Sequence, residues 1–177
     1  MAGAHAVVRN TQRRPPVTRP PAGEREALAF FLAAQRAAVL SIIDGLTEDQ
    51  LSCTIVPSGW TPAGMVEHLG DAERAWFQYV VAGALTDASD VEEPPVRTVA
   101  AALSYYRAQS ARSDEILATT VLDARPAGRP VADIGIADEA VTVRDVVLHV
   151  IEETARHAGH LDIARELIDG RTGLGPR

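Results

Sequence analysis

A chain of 177 residues with 46% hydrophobic side chains is long enough to bury a core as one domain, and its single cysteine, Cys53, excludes an internal disulfide framework. All 17 basic residues are arginine, which excludes a Walker-type phosphate loop, Schiff-base chemistry and a Ser–Lys dyad, since each needs a lysine. The formal net charge is −7 although residues 1–22 hold four arginines and no acid, so the rest of the chain repels nucleic acid and anionic membranes, and neither is expected as a partner.

No uninterrupted apolar run reaches the roughly 20 residues that span a bilayer. The first residues, MAGAHAVVRNTQRRPP, lack the apolar stretch of a secretory signal, so a cytoplasmic location is expected. Residues 1–22 contain RRPPVTRPP, which cannot propagate a helix and reads as a flexible Arg/Pro-rich tail. From Glu24 the pattern turns helical. Leu28, Phe31, Leu32, Val39, Ile42 and Ile43 recur at helical intervals up to Gly45, which suits a stop. Thr47 caps at most a short turn in LTEDQL, and CTIVPSGW reads as a loop.

Thr61 followed by Pro62 is a strong start signal for a second helix. Its stripe is Met65, Leu69, Ala72, Trp76, Tyr79 and Val80, and it ends near Gly83. An acidic loop, DASDVEEPP, leads to a third helix from about Arg97 to Thr119, with Leu103, Tyr106, Ile116 and Leu117 inward. Pro126, Gly128, Pro130 and Gly135 then interrupt any helix until Thr142, where a fourth begins and runs to Ile168, with Gly170 as its stop. Residues 174–177 read as a short C-terminal tail. Four long helices within residues 23–173, with no repeat and no strand signal, predict an all-α four-helix bundle. Its long inter-helix connections leave the chain order open.

The chemistry concentrates on the second and fourth helices. At 100° per residue His149, Glu153, His157 and His160 fall on one strip about 80° wide, shared with the apolar Val146 and Ala164 and bordered by Val150. They therefore face the bundle interior or its margin. A buried carboxylate without a partner is costly, and a divalent cation would satisfy Glu153 and neighbouring histidines together. Side chains at i and i+4 converge on one point. His68, on the stripe of the second helix beside Met65 and Leu69, is placed to add a ligand from across the bundle. Two imidazoles and one carboxylate suit Zn²⁺, Ni²⁺ or Fe²⁺ with coordination positions left open.

The runs PSGWTPAGMVEHLGDAERAWF and VVLHVIEETARHAGHLDIARELIDGRTG resemble the DinB/YfiT superfamily of metal-binding four-helix bundles, over roughly residues 20–173. The resemblance implies one ligand from the second helix, His68, and two from the last at i and i+4, Glu153 and His157. The same Glu-x-x-x-His order occurs in a mycothiol-dependent isomerase of the superfamily. That enzyme has a further C-terminal domain, so isomerase activity itself is not expected here. His160 then falls outside the triad, where it would touch the ligands or the substrate, and His149 is assigned a supporting place one turn before Glu153. The superfamily's activities imply transfer of a low-molecular-weight thiol, mycothiol above all, to an electrophile. A divalent metal, Zn²⁺ first, would lower the thiol pKa.

Other residues invite stronger readings than they carry. Cys53 has no basic neighbour in sequence and reads as an idle or packed thiol. Trp60 either narrows the mouth of the site or packs. Arg156 either steers an anionic substrate or forms a salt bridge across helices, and Asp162 and Arg165 flank the strip. Trp76, Phe77 and Tyr79 read as a packing cluster, and Glu73 and Arg74 as a surface pair. The leading expectation is a metal-dependent thiol S-transferase acting on a small thiol and an electrophile. A hydrolase using metal-bound hydroxide and a non-catalytic, metal-stabilised binding bundle stay open beside it, and so does association as a homodimer.

Overall fold

The computed structural model describes residues 23–84, 98–128 and 142–173. The N-terminal tail, the acidic loop, residues 129–141 of the irregular stretch and the C-terminal tail lie outside the described residues. Among the described residues the chain is all-helical: α1 (Glu24–Ile43), α2 (Glu48–Ser52), α3 (Pro62–Glu73), α4 (Val99–Thr119) and α5 (Val143–Asp169). α2 is the short turn expected in LTEDQL, closed by a capping box between Thr47 and Gln50. Thr61 caps α3 by accepting from the Gly64 N–H at 3.0 Å, with Pro62 at the first turn. α4 starts at Val99, two residues later than predicted, because Thr98 is its cap.

α3 continues without a break into a π-helical segment, Arg74–Val81, whose wider turn closes with Ala82 N–H on the Phe77 carbonyl at 2.9 Å. The sequence reading missed it by assuming α-helical spacing. The residues that the structure buries include Met65, Leu69, Glu73, Phe77 and Val81, an unbroken spacing of four. In an α-helix such a row drifts by about 40° per step. The wider segment takes out that drift and keeps Phe77 and Val81 inward. Tyr79 accordingly turns half outward, with the Arg74 guanidinium 5.2 Å from its ring.

α1 packs along α5 and α3 along α4, and α3 also meets α5. Two apolar clusters form the core. One takes Leu28 and Leu32 from the start of α1, Trp76, Phe77, Val80 and Val81 from the π segment, Ile116 and Leu117 from the end of α4, and Val143 to Val150 from the start of α5. The other takes Val39 and Ile43, Met65 to Leu69, Tyr106, Ala158 and Leu161 from the opposite ends. α1 and α5 therefore point one way and α3 and α4 the other. The order left open by the sequence is up, down, down, up.

Between the two clusters every long helix contributes polar groups. Arg36 on α1 grips Glu73 through Nε on Oε1 at 2.6 Å and Nη2 on Oε2 at 2.7 Å, and its Nη1 reaches Asp114 of α4 at 2.6 Å. Glu73 is thus no surface residue; its side chain is 1% exposed. Glu153 and His157 of α5 fall in the same polar layer. Phe31, by contrast, was expected inside and stands 49% exposed.

α1 is long and apolar enough, by length and composition alone, to cross a membrane. No long apolar run announces this in the sequence, because Gln35, Arg36 and Ser41 interrupt the apolar residues while the average stays high. Here its Leu28, Leu32, Arg36, Val39 and Ile43 are buried in the bundle.

Candidate metal centre

The phase of α5 is fixed at both ends. Thr142 Oγ1 accepts from the Asp145 N–H while the Asp145 carboxylate accepts from the Thr142 N–H at 2.9 Å, a complete capping box. Gly170 ends the helix in the left-handed conformation at φ 78°, which glycine adopts without strain. Arg165, buried three turns into the second half, donates to the carbonyls of Ile42 and Asp44 at 2.6 and 2.7 Å and so ties the end of α1 to α5.

Within that frame Glu153 Oε1 is the hub. His157 Nε2 lies 2.8 Å from it and His68 Nε2, arriving from α3, 3.4 Å. One candidate ligand atom from each of the three residues lies within 4.8 Å of the others, and the two imidazoles meet edge to face with centroids 5.0 Å apart. The three side chains predicted to converge do converge. Their exposure is uneven: Glu153 and His157 are 16% and 14% exposed, His68 54%. His68 therefore stands at the margin of the bundle, more open than its stripe implied.

The other carboxylate oxygen is already engaged. Arg156 Nη1 donates to Glu153 Oε2 at 2.8 Å and its Nη2 to Glu152 at 2.6 Å, so this arginine bridges acids along its own helix and not across helices. His160 Nδ1 lies 3.2 Å from His157 Nδ1, and the Trp60 ring stands 6.4 Å from that of His160. His149 departs from the cluster. It is buried against Trp76 with ring centroids 4.5 Å apart, and its Nδ1 has no hydrogen-bond partner among the described residues. Cys53 is exposed, its Sγ 3.6 Å from the Thr54 carbonyl, and Asp162 accepts from the Gly173 N–H at 2.7 Å.

Burial works to raise the Glu153 carboxyl, but the hydrogen bond and charge of His157, with His68 and Arg156 behind it, hold it below its usual value. Burial lowers His157 against the opposing pull of Glu153. Carboxylate and neutral imidazole are the forms that ligate a cation. The donor set fits a divalent ion on chemical grounds: two imidazole nitrogens and one carboxylate oxygen converge, while the second oxygen is already held by a guanidinium.

Fold and donor set together define a DinB/YfiT-type four-helix bundle with a candidate site for a divalent metal. Residues 27–170 match the model of the mycothiol-S-transferase family, and the chain belongs to that family. None of the curated proteins matches it significantly. Family and site together make it a metal-assisted thiol transferase, with a thiol and an electrophile as its reactant classes.

Proposed function

We propose that the thiol is mycothiol, that the cation is Zn²⁺, and that His68, Glu153 and His157 are its protein ligands. The observation that carries this reading is the convergence of His157 Nε2 and His68 Nε2 on Glu153 Oε1, at 2.8 and 3.4 Å. A divalent cation held by this set supplies Lewis acidity, lowering the pKa of a thiol that coordinates it so that thiolate is available at neutral pH.

The residues of the chain do the positioning. Arg156 holds Glu153 Oε2 and leaves Oε1 turned to the imidazoles. His68 and His160 are exposed, so reactants reach the cluster from their side, where Trp60 offers an aromatic face. The sulfur–carbon bond forms as the leaving group departs from the electrophile, and the thiol proton goes to solvent. Membership of the mycothiol-S-transferase family supports mycothiol as the thiol, and the cytoplasm, where small thiols stay reduced, is the proposed place of reaction.

The test is metal content after incubation with Zn²⁺, followed by turnover of a haloarene electrophile with mycothiol, bacillithiol or glutathione. We expect about one equivalent of zinc, lost in His68→Ala, Glu153→Ala and His157→Ala, and turnover that is fastest with mycothiol. A rate no higher than that of the metal-stripped protein would refute the transferase reading. Esterase or amidase turnover without any thiol would favour a hydrolase instead.

A further inference from the structure

We infer that His160 is a positioning residue, which in the loaded site accepts a hydrogen bond from His157 Nδ1–H and so orients the ring whose Nε2 ligates. The inference rests on the metal-site reading above and adds a residue to it. His157 makes two polar contacts, one through each ring nitrogen: Nε2 to Glu153 Oε1 at 2.8 Å and Nδ1 to His160 Nδ1 at 3.2 Å. The two rings are 5.2 Å apart at their centroids and inclined by 59°.

A contact between two neutral imidazole nitrogens holds one proton, so one ring donates and the other accepts. Without a cation, His157 donates Nε2–H to Glu153. Its Nδ1 must then accept, and His160 carries its proton on Nδ1. With a cation on His157 Nε2 that nitrogen has no proton. The proton sits on His157 Nδ1 and is donated to His160 Nδ1, while the proton of His160, an exposed residue, moves to its Nε2. Two protons are present before and two after. The Nδ1–Nδ1 contact therefore serves both states with its direction reversed, and loading the site switches both tautomers.

The spacing supports a designed role for the pair. Each ligand on α5 has a partner three residues on: Arg156 for Glu153 and His160 for His157. At that interval the partner lies one turn along the same face, so one helix supplies both ligands and the groups that orient them. Partners of this kind commonly govern metal affinity by about 10- to 100-fold.

The experiment compares Zn²⁺ affinity by chelator competition in the wild-type chain, His160→Ala and His160→Gln, with circular dichroism as a check of folding. Nitrogen-15 NMR of the imidazoles, at fixed pH, reads the tautomers with and without Zn²⁺. We expect His160→Ala to weaken Zn²⁺ binding about 10-fold, and His160→Gln to restore most of it through its amide oxygen. The wild-type spectrum should show His157 protonated at Nδ1 and His160 at Nε2 only in the loaded protein. Wild-type affinity in a folded His160→Ala, or a His160 tautomer unchanged by Zn²⁺, would overturn the inference while leaving the site intact. Failure of the wild-type chain to bind Zn²⁺ would overturn the site reading, and this inference with it.

Discussion

Cutting the buried ion pair between α1 and α3 from either side should cost unequal amounts. Arg36 and Glu73 are 7% and 1% exposed, so each depends on the other for compensation. Glu73 has both oxygens on Arg36; Arg36→Met therefore leaves a buried carboxylate alone, toward the upper end of the roughly 3–5 kcal/mol that orphaning a buried charge costs. Glu73→Leu is milder, about 3 kcal/mol, because Arg36 keeps Asp114 at 2.6 Å, itself 60% exposed. For a chain of this size that is a fall in Tm of about 6–12 °C. The double variant Arg36→Met/Glu73→Leu leaves no buried charge and should return to within about 1 kcal/mol of the parent, since apolar side chains of similar volume replace such pairs at little cost. Urea unfolding followed by far-ultraviolet circular dichroism gives all four corners of the cycle. The reasoning fails if Glu73→Leu costs more than Arg36→Met, or if the double variant is as unstable as the two single changes added together.

Three further outcomes follow from the same structure. Glu153→Gln keeps the shape and the oxygen that faces the two imidazoles but removes the charge; saturating Zn²⁺, which should raise the wild-type melting point by an amount equivalent to about 2.7 kcal/mol at a hundredfold excess over Kd, should leave this variant nearly unmoved in a thermal shift assay. Thr142→Ala removes the capping box of α5 and should lower stability by about 1 kcal/mol, read as a shift in the urea midpoint, whereas Thr142→Ser should not. His149 is held below its ordinary pKa, chiefly by burial against Trp76. The unfolded chain thus binds this proton more readily than the folded one, so the stability it contributes is complete above the ordinary histidine pKa and falls as pH drops toward the folded value. In Trp60→Phe, where Trp76 is the remaining tryptophan, quenching of fluorescence by the protonated ring should set in below that ordinary pKa. A midpoint at or above it would contradict the burial argument.

The fold was largely legible because α3 and α5 carry strong local start or stop signals. Thr61–Pro62, Thr142 and Gly170 act within one turn of chain, and the structure uses each of them where the sequence places it. The α5 half of the candidate donor set was legible for the same reason: Glu153 and His157 share one helix face, which local geometry dictates. What the sequence did not yield depends on contacts between distant residues. Nothing near Arg36 marks it as buried; only the arrival of Glu73 from 37 positions away makes that place tenable. Glu73 itself was read as half of a surface pair with its neighbour Arg74, because the arginine that pairs with it lies on another helix. The unbroken row at intervals of four, from Met65 to Val81, was the available signal. His149 was placed on the correct strip, yet the strip is wide enough to serve two surroundings: the ligand cluster at Glu153 and, one turn earlier, the ring of Trp76.

The polar layer at mid-bundle holds two carboxylates of similar surroundings and opposite character, and the contrast separates scaffold from site. Glu73 is closed: a guanidinium takes both of its oxygens, and burial leaves it no approach from solvent. Glu153 is half satisfied in the same sense. Arg156 takes Oε2, and among the described residues Oε1 meets two imidazole nitrogens, one of them on a half-exposed ring. If the layer served packing alone, the second oxygen would be matched best by another guanidinium or by a backbone N–H, since neutral imidazoles are weaker partners for a carboxylate. Imidazoles are instead the partners that can give up their protons and turn lone pairs toward the same point. The chain thus neutralises one acid with arginine to hold α1 against α3, and keeps the other beside groups whose protonation can change. That difference in partner, more than burial or spacing, assigns chemistry to the α3–α5 face of the bundle.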